Sequence, residues 1–483
     1  MDTLPAILKF LGILIEVVLL FNLMILVHEL GHYWAALWRG LKVEKFQIWF
    51  GPTLWKKTIN GVQWGLGTIP FGGFVALPQM APMEMLEGRS PDGTDRRTLP
   101  PVKPWDKIIV AFAGPLFSFL LALLFALVVF KVGRPVWSQE ATCVVGYVAK
   151  DMPAAAPGGL HPGDKILAVD GQPVGGFGGL SDGIVARVAF SEGDKVAFLV
   201  ERPGEPRPVT VSLAPHVEKG KGVFRRSDIR RVGIAPAAPA KVGRVLPGGP
   251  ADRAGLKPGD RFLAVDGKQV WHPEQIMTAM ESRPGQDVSL TVSSPDGLMR
   301  VVSLRPVQPL KPADAKPMIG IRWGSDDMTL DKPGPVTQLR KAAATIFVTL
   351  GALVSPRSEI GIQHLSGPIG IGGAFFDMLG EDQGWKLALW FAVVVNVNLA
   401  LLNLFPLPVL DGGHIVISLL EWIRGRSVSP RFLEILQAGF AFLLIGFMLY
   451  VTVLDVGDRA RFGGGGDKEP AEVVFPPPAA EAP

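Results

Sequence analysis

The stretch "ILKFLGILIEVVLLFNLMILVHELGH", residues 7–32, decides the architecture of this chain. Its first part, Ile7–Val27, is almost entirely apolar and matches the ~20 residues that a helix needs to cross a bilayer core. His28, Glu29 and His32 follow directly, although ionisable groups are costly close to lipid. The sequence therefore predicts a membrane-spanning helix that carries a polar functional site.

Composition narrows the class of protein. The chain has 483 residues, which is enough for several domains. Hydrophobic residues make up 48% of it and the mean hydropathy is +0.31, so part of the chain is predicted to lie in lipid. The net charge of +4 is small and no dense block of Lys and Arg occurs, which argues against nucleic-acid binding. Cys143 is the only cysteine, which excludes an intrachain disulfide and a thiolate zinc cage, and leaves His, Asp and Glu as metal ligands.

Four apolar segments have the length of membrane spans. They are Ile7–Val27, Ile108–Phe130, Trp385–Phe405 and Phe432–Leu454. The first segment lacks the basic start and the Ala-x-Ala cleavage site of a signal peptide, and its removal would discard or expose the polar site. We therefore predict that it is retained as a span.

The short connections between spans predict the orientation. Residues 39–107 contain ten Lys and Arg residues, and residues 406–431 contain three arginines. The positive-inside rule places both connections on the cytoplasmic side. Both termini and the long region 131–384 are then predicted to lie outside. The long region is also basic, but the rule discounts long translocated domains.

The external region contains a repeat. The sequences "GGLHPGDKILAVDGQPV" (158–174) and "AGLKPGDRFLAVDGKQV" (254–270) align almost residue for residue, which is typical of a duplicated unit. Each copy reads as a Gly-Leu turn, Pro-Gly-Asp, a short apolar strand and an Asp-Gly hairpin turn. The two units resemble PDZ domains, at about 140–217 and 230–310, which bind extended peptides along a sheet edge. A rigid spacer without a ligand is the other interpretation.

The two copies differ after the hairpin. The second has the helix-forming "HPEQIMTAMESR" (272–283), whereas the first has the glycine-rich "GGFGGL" (175–180), which does not predict a helix or a peptide groove. At the C-terminus, the Gly-, Pro- and Ala-rich sequence within 456–483 predicts a disordered tail.

Two stretches beside the spans indicate an internal cavity. "TIPFGGFVALP" (68–78) is apolar and β-prone, and "NLFPLPVLDGGH" (403–414) ends the third span with two prolines and two adjacent glycines. Irregular backbone at membrane depth is tolerated only where it is buried in protein or lines a wet cavity. An ordinary cytoplasmic hairpin is the other interpretation of the first stretch.

The motif His-Glu-x-x-His on a helix is typical of zinc proteases. His28 and His32 lie on one helix face, so both imidazoles can bind one ion, and Glu29 is close enough to reach a water on that ion. A catalytic zinc takes three protein ligands and a water. Asp411 is a candidate for the third, because it lies in a Pro/Gly-rich break after an asparagine-bearing apolar helix, although a capping or turn aspartate is equally compatible. His414 is the other candidate for the third ligand; alternatively, it contacts the ligands without binding the ion itself.

Four motifs together resemble one known family. They are HELGH (28–32), FGGF (71–74), SGPIGI (366–371) and NLFPLPVLDGGH (403–414). The chain resembles the site-2 protease family of intramembrane zinc metalloproteases, and within it the bacterial RseP-type branch (regulator of sigma-E protease) with two tandem PDZ domains. The resemblance extends from residue 7 to about residue 455.

This resemblance implies roles for individual residues. Asp411 corresponds to the third zinc ligand, and Glu29 to the catalytic acid–base residue. A β-type loop that dips into the membrane corresponds to the region of Gly72 and Gly73. Asn403 corresponds to an asparagine that contacts the substrate.

The resemblance also implies a function. It is zinc-dependent cleavage of a single-span membrane substrate in the bacterial inner membrane, such as an anti-sigma factor or a remnant signal peptide. An upstream site-1 protease acts first on the same substrate, and the external PDZ pair acts as a size filter. The alternative is a non-catalytic membrane scaffold that displays PDZ domains and keeps zinc as a structural ion. Glu29 favours the enzyme, because a structural ion needs no acid–base group beside its ligands.

The predicted fold class is a multi-pass α-helical membrane protein with four transmembrane helices, a membrane-associated β loop and two β-rich PDZ domains. The predicted layout is a first helix with the His-Glu-x-x-His motif (1–38), a cytoplasmic region with the β loop (39–107), a second helix (108–131), the PDZ domains (140–217 and 230–310), an amphipathic connecting region (335–384), a third helix (385–405), the Leu-Asp-Gly motif and cytoplasmic connection (406–431), a fourth helix (432–455) and the tail (456–483).

Overall fold

The computed structural model describes most of the chain. The residues outside the described part are 1–2, 81–99, 101, 218–225, 227–228, 284, 313–315, 325–326, 427, 463–472 and 477–483. The chain divides into two compact units. The first consists of Met1–Arg134, Asp331–Phe347 and Leu365–Gly457, and the second of Pro135–Leu330, Val348–His364 and Asp458–Pro483.

Long helices dominate the first unit. The α-helices of the described chain are α1 (Thr3–Trp38), α2 (Pro104–Val132), α3 (Ser138–Ala141), α4 (Ile184–Ala189), α5 (Pro250–Arg253), α6 (Pro273–Glu281), α7 (Pro335–Val354), α8 (Pro368–Gly380), α9 (Gly384–Asn403), α10 (Asp411–Arg424) and α11 (Pro430–Phe462). Among the described residues, α1, α2, α9 and α11 are long and apolar enough to cross a membrane. Each predicted span coincides with one of these helices, although α9 ends at Asn403, two residues before the predicted end of the third span. Helix α1 continues past Val27 to Trp38, so the His-Glu-x-x-His motif lies within the helix.

Short strands complete the described chain. They are β1 (Lys45–Phe50), β2 (Trp55–Ile59), β3 (Val62–Leu66), β4 (Ile69–Ala76), β5 (Arg134–Trp137), β6 (Val145–Val148), β7 (Lys165–Val169), β8 (Gln172–Pro173), β9 (Val196–Glu201), β10 (Val209–Leu213), β11 (Ile234–Pro236), β12 (Val242–Val245), β13 (Arg261–Val265), β14 (Lys268–Gln269), β15 (Val288–Ser293), β16 (Met299–Leu304), β17 (Ile321–Trp323) and β18 (Met328–Asp331).

Helices α1 and α2 approach each other closely through glycine. A Cβ atom on Gly31 would lie 2.4 Å from the carbonyl oxygen of Ala113, so only glycine fits at this crossing. Small residues allow such contacts between membrane helices, where packing replaces the hydrophobic effect. Phe375 of α8 and Phe125 of α2 belong to the same buried cluster, which also includes residues of α1 and α9.

A four-stranded sheet packs beside α1 and α2. Its strand order is β2-β3-β1-β4, so β4 lies at one edge. Strand β4 runs antiparallel to β1, and Gly73 pairs with Ile48. Phe46 of β1 is fully buried in a cluster with Ala36 of α1 and Val110 of α2. The region of Gly72 and Gly73, predicted as a β-type loop, is part of an edge strand whose backbone pairs with β1.

Two β modules in the second unit have equivalent sheets. The first has the strand order β10-β9-β7-β8, and the second has β16-β15-β13-β14. The Asp-Gly turns match as well: φ is 47° at Asp170 and 48° at Asp266, and 73° at the glycine that follows each of them. The first module contains the short helix α4 (Ile184–Ala189), which the glycine-rich sequence did not predict. Ile184 is 1% exposed, so burial of an apolar face stabilises this helix.

Helices occur in two of the stretches predicted as connections beside the third span. The stretch predicted as a connection at 406–431 contains helix α10. The stretch 335–384 contains α7 and α8, and Phe375 of α8 is fully buried. Part of the predicted cytoplasmic region, 81–99, lies outside the described residues.

The predicted disordered tail, 456–483, differs from the structure where the structure describes it. Residues 456–462 complete helix α11. Further on, Val474 forms an antiparallel bridge with Lys311, and Phe475 is only 8% exposed. The Pro/Ala-rich composition concealed one apolar segment with a large aromatic side chain, which has enough surface to bury.

Candidate metal centre

Three side chains converge in the helical unit. Within the described part of the chain, His28, His32 and Asp411 form the one group whose potential ligand atoms all lie within 4.8 Å of one another. The Nε2 atoms of the two histidines are 3.3 Å apart, and each lies 3.3 Å from one carboxylate oxygen of Asp411. Two ligands at ~2.0–2.1 Å from a tetrahedral ion are about 3.3 Å apart. The spacing therefore fits a zinc ion.

The local sequence explains how Asp411 reaches the two histidines. Helix α9 ends at Asn403, and Asp411 is the first residue of α10. A Cβ atom on Gly412 would lie 2.3 Å from the carbonyl oxygen of Leu404, and one on Gly413 would lie 2.2 Å from that of Leu407. The two glycines thus allow the turn between the helices to fold tightly against the start of α10.

Hydrogen bonds define which atoms are free to bind a metal. The Nδ1 atom of His32 lies 2.8 Å from the carbonyl oxygen of Val110. A carbonyl can only accept, so Nδ1 carries the proton and the Nε2 lone pair of neutral His32 faces the site. The Nδ1 atom of His28 lies 3.0 Å from the hydroxyl oxygen of Ser118, which can accept in the same way.

This arrangement brings three hydrogen-bond acceptors close to one another. The Oδ2 atom of Asp411 is buried and, among the described residues, accepts no hydrogen bond of proper geometry. Two imidazole lone pairs and a carboxylate at 3.3 Å from one another would otherwise repel. A bound cation satisfies all three, and nitrogen and oxygen ligands with supporting hydrogen bonds on the histidines are typical of zinc.

Helix α2 contributes residues that the sequence analysis did not single out. A Cβ atom on Gly114 would lie 2.2 Å from Nε2 of His32 and 2.9 Å from Nε2 of His28, so any larger residue would push the two ligand nitrogens away. Pro115 follows inside the helix, and Ser118 is fully buried. The signal available in the sequence was Gly-Pro and serine inside an otherwise uncharged apolar span.

Glu29 and the edge strand border the same cavity. Glu29 lines the cavity that contains the three converging side chains, and so does Gly73 of β4. A Cβ atom on Gly73 would lie 3.4 Å from Cγ of Glu29 and 3.2 Å from Cγ2 of Ile25. Strand β4 therefore lies directly against α1 at the level of the motif. Gly72 does not line the cavity; its φ of 74° is the left-handed conformation that favours glycine.

Asn403 and His414 are also at this cavity. The Nδ2 atom of Asn403 lies 3.4 Å from Nε2 of His28. His414 lines the cavity but does not belong to the three-residue group, which contains Asp411 instead. Burial lowers the pKa of His414, partly opposed by the charge of Asp411, so its imidazole is neutral near pH 7.

The fold and this site together define a class of protein. The model of one peptidase family, described as peptidase family M50, matches residues 16–446. The chain belongs to this family, whose members are metalloproteases.

Individual relatives are similar along nearly their whole length. The regulator of sigma-E protease RseP of Escherichia coli is 27% identical over 449 residues, 88% of this chain and 94% of its own. A protease RseP of Yersinia pestis is 27% identical over 430 residues, 85% of this chain and 90% of its own. A Neisseria meningitidis protein that bears a zinc metalloprotease name is 32% identical over 465 residues, 92% of this chain and 98% of its own.

Proposed function

We propose that this chain is a zinc-dependent intramembrane endopeptidase that cleaves single-span membrane substrates. The observation that carries the proposal is the convergence of two imidazoles of α1 with the carboxylate of Asp411, with Glu29 in the same cavity. Helix α1 is a candidate membrane span, and Asp411 begins α10. Membership of a metalloprotease family and relatives named as zinc metalloproteases support it. In this proposal the reaction takes place within or beside the bilayer, because Glu29 and two of the proposed ligands lie on candidate span α1.

In this proposal His28, His32 and Asp411 hold the zinc ion. When bound, zinc polarises the scissile carbonyl and makes water a stronger nucleophile near neutral pH. Glu29 is the catalytic base: it accepts a proton from the attacking water and then donates it to the leaving nitrogen. Val110 and Ser118 keep the two imidazoles in the orientation and tautomer that a metal needs.

The substrate has to be extended before it can be cut, because the carbonyls of a helix are already hydrogen-bonded along the helix axis. Strand β4 is an edge strand, and Gly73 faces the cavity that holds Glu29. We infer that the substrate pairs with β4 as an added strand. Gly72 allows the strand to bend, and Asn403 holds exposed backbone groups of the substrate beside His28.

We also propose that the two β modules are tandem PDZ domains that restrict access of large substrates. Their matching strand order and matching Asp-Gly turns support a duplicated unit. In this view the chain lies in the bacterial inner membrane, with the active site near the cytoplasmic side and the modules outside, as the basic short connections indicate. The substrate is an anti-sigma factor or a remnant signal peptide, and an upstream site-1 protease trims it first.

The experiment is cleavage of a single-span test substrate by purified protein in detergent. Cleavage should stop when a zinc chelator is added and return when zinc is restored. A chain that binds zinc yet leaves every tested single-span substrate intact would favour the alternative, a membrane scaffold with a structural zinc. Glu29 argues against that alternative, because a structural site has no use for an acid–base group in its cavity.

A further inference from the structure

The C-terminal segment Val473–Pro476 lies on the second β module and has no part in the function proposed above. Its backbone pairs with the chain that follows β16. Val474 donates a hydrogen bond from its N–H to the carbonyl oxygen of Lys311 at 3.1 Å. In return, the N–H of Leu310 donates to the carbonyl oxygen of Val474 at 2.7 Å. The segment is thus held as a short added strand.

The aromatic side chain of this segment fills a slot between two glycines. A Cβ atom on Gly249 would lie 3.0 Å from Cε2 of Phe475, and one on Gly320 would lie 3.0 Å from its Cζ. The same Cβ on Gly320 would be 3.2 Å from Cα of Gly249, so the two backbones face each other across the slot. Only 8% of Phe475 is exposed. The slot therefore accepts a flat ring and would lose it if either glycine gained a side chain.

An arginine fixes the end of the segment. The Nη2 atom of Arg253 donates to the carbonyl oxygen of Pro476 at 3.2 Å. The same nitrogen donates to the carbonyl oxygen of Gly248 at 2.8 Å, in the loop that forms one wall of the slot. Hydrogen bonds from a guanidinium are among the stronger ones in proteins. One side chain thus holds both the slot and its occupant.

We propose that this slot is a peptide-binding site of the second module and that its resident ligand is the chain's own segment Val473–Pro476. Backbone pairing supplies affinity, and the slot selects an extended peptide with an aromatic residue followed by proline. While the tail is seated, the site is closed to other peptides of this class. A tethered segment has an effective concentration on the order of millimolar, which keeps a weak site occupied.

Binding of a fluorescent peptide tests the proposal. The peptide has the sequence of residues 470–479, PAEVVFPPPA. A chain truncated after Gly466 should bind it saturably, and the intact chain at least ~10-fold more weakly, because its own tail competes. In the truncated chain Gly249→Ala should weaken binding at least ~10-fold. Gly175→Ala, where an added Cβ meets nothing within 4 Å, should leave binding unchanged.

Hydrogen exchange on the full-length chain provides the second measurement. Phe475→Ala should raise exchange of the Leu310 amide to the rate in the truncated chain, without changing the Leu290 amide in the core of the same module. Unchanged protection of Leu310 would overturn the proposal. So would equal binding by the Gly249→Ala and Gly175→Ala proteins, or no peptide binding by the truncated chain at millimolar concentration. Neither measurement involves zinc or cleavage, so the outcome is independent of the proposed function.

Discussion

At the scale of single residues, the proposed metal centre depends on which ring nitrogen of each histidine carries the proton. The Nδ1–H of His32 donates a hydrogen bond to the carbonyl oxygen of Val110 at 2.8 Å, so the Nε2 lone pair faces Asp411. The hydroxyl oxygen of Ser118 lies 3.0 Å from Nδ1 of His28 and can accept a hydrogen bond from it in the same way. Two imidazole lone pairs and a carboxylate this close to one another repel without a cation, so the arrangement supports a cation-binding site.

The choice of Asp411 over His414 as the third ligand is testable. Asp411→Ala should lower both zinc content and cleavage strongly, because two histidines alone bind the ion loosely. His414→Ala is the matched control, since His414 lines the same cavity outside the three-residue group. Zinc content is measured by atomic absorption on purified protein. Loss of zinc in the histidine variant with retention in the aspartate variant would show that the assignment of the third ligand is wrong.

Gly114 provides a second prediction at this scale. Gly114→Ala should abolish zinc binding and reduce cleavage at least ~100-fold, because the new methyl group would displace the two ligand nitrogens. Gly439→Ala is the control: it lies in candidate span α11 and its added Cβ meets nothing within 4 Å. Equal zinc content in the two purified variants would contradict the role of Gly114.

Some of the site was predictable from the sequence because its residues are close together in the chain. His28, Glu29 and His32 occupy one helical turn, so their shared face follows from helix geometry. Gly114 and Ser118 stand out in the sequence only as small residues in an apolar span. Their roles depend on how closely α2 packs against α1, and that distance is not readable from one sequence. Without the family resemblance, Asp411 remained one of two candidates for the same reason.

At the scale of elements, a buried carboxylate connects the fourth span to α8. The Oδ2 atom of Asp455 accepts hydrogen bonds from the N–H groups of Gly367 and Gly370 at 2.9 and 2.8 Å. These amides belong to the start of α8, where backbone N–H groups lack partners within the helix and the helix dipole favours a negative charge. A Cβ atom on Gly370 would lie 2.9 Å from Cγ of Asp455. The motif SGPIGI thus gains a structural explanation.

We predict that Asp455→Asn weakens this connection. The amide keeps an acceptor but loses the charge, so the free energy of unfolding should fall by about 1–3 kcal/mol. Thermal unfolding of the detergent-solubilised protein measures the change. Asp382→Asn, at an exposed position in the same unit, is the control. Identical unfolding temperatures for both variants would mean that Asp455 does not stabilise α8.

Among the elements of the second unit, the turns were predictable from the sequence, whereas a short helix and the tail segment were not. The Asp-Gly turns of both modules were predictable, because only a few residue types tolerate positive φ. The six-residue helix α4 was not, because glycines precede it and its stability comes from burying Ile184 and Val188. The composition of the tail predicted disorder, although Phe475 is buried. One aromatic residue in a Pro/Ala-rich stretch does not indicate burial unless the slot that receives it is known.

At the scale of the whole molecule, the size-filter proposal assigns substrate access and catalysis to different parts of the chain. The three proposed zinc ligands lie in the first unit, and both β modules lie in the second. Strands β5 and β18 are neighbours in a two-stranded sheet, and the N–H of Ser138 donates to the carbonyl oxygen of Asp327 at 2.9 Å. A short turn can therefore replace residues 138–327 without separating the ends of the chain.

This deletion should release the size restriction. The shortened protein should cut a substrate that still carries its bulky external domain, whereas the intact protein should cut only the trimmed substrate. Both proteins are compared on both substrates by gel analysis of products. Zinc content of the shortened protein serves as the control for a correctly folded metal centre. Refusal of the untrimmed substrate by a zinc-loaded shortened protein would show that the modules are not the filter.

The central claim is that Glu29 performs proton transfer at a zinc ion held by other residues, and one measurement tests it most directly. Zinc content and substrate cleavage are determined on the same purified preparation of the Glu29→Gln protein. We predict about one zinc ion per chain, as in the unaltered protein, and cleavage reduced at least ~100-fold, because the amide cannot accept the proton. Full cleavage by this variant, or cleavage lost only together with the zinc, would contradict the account.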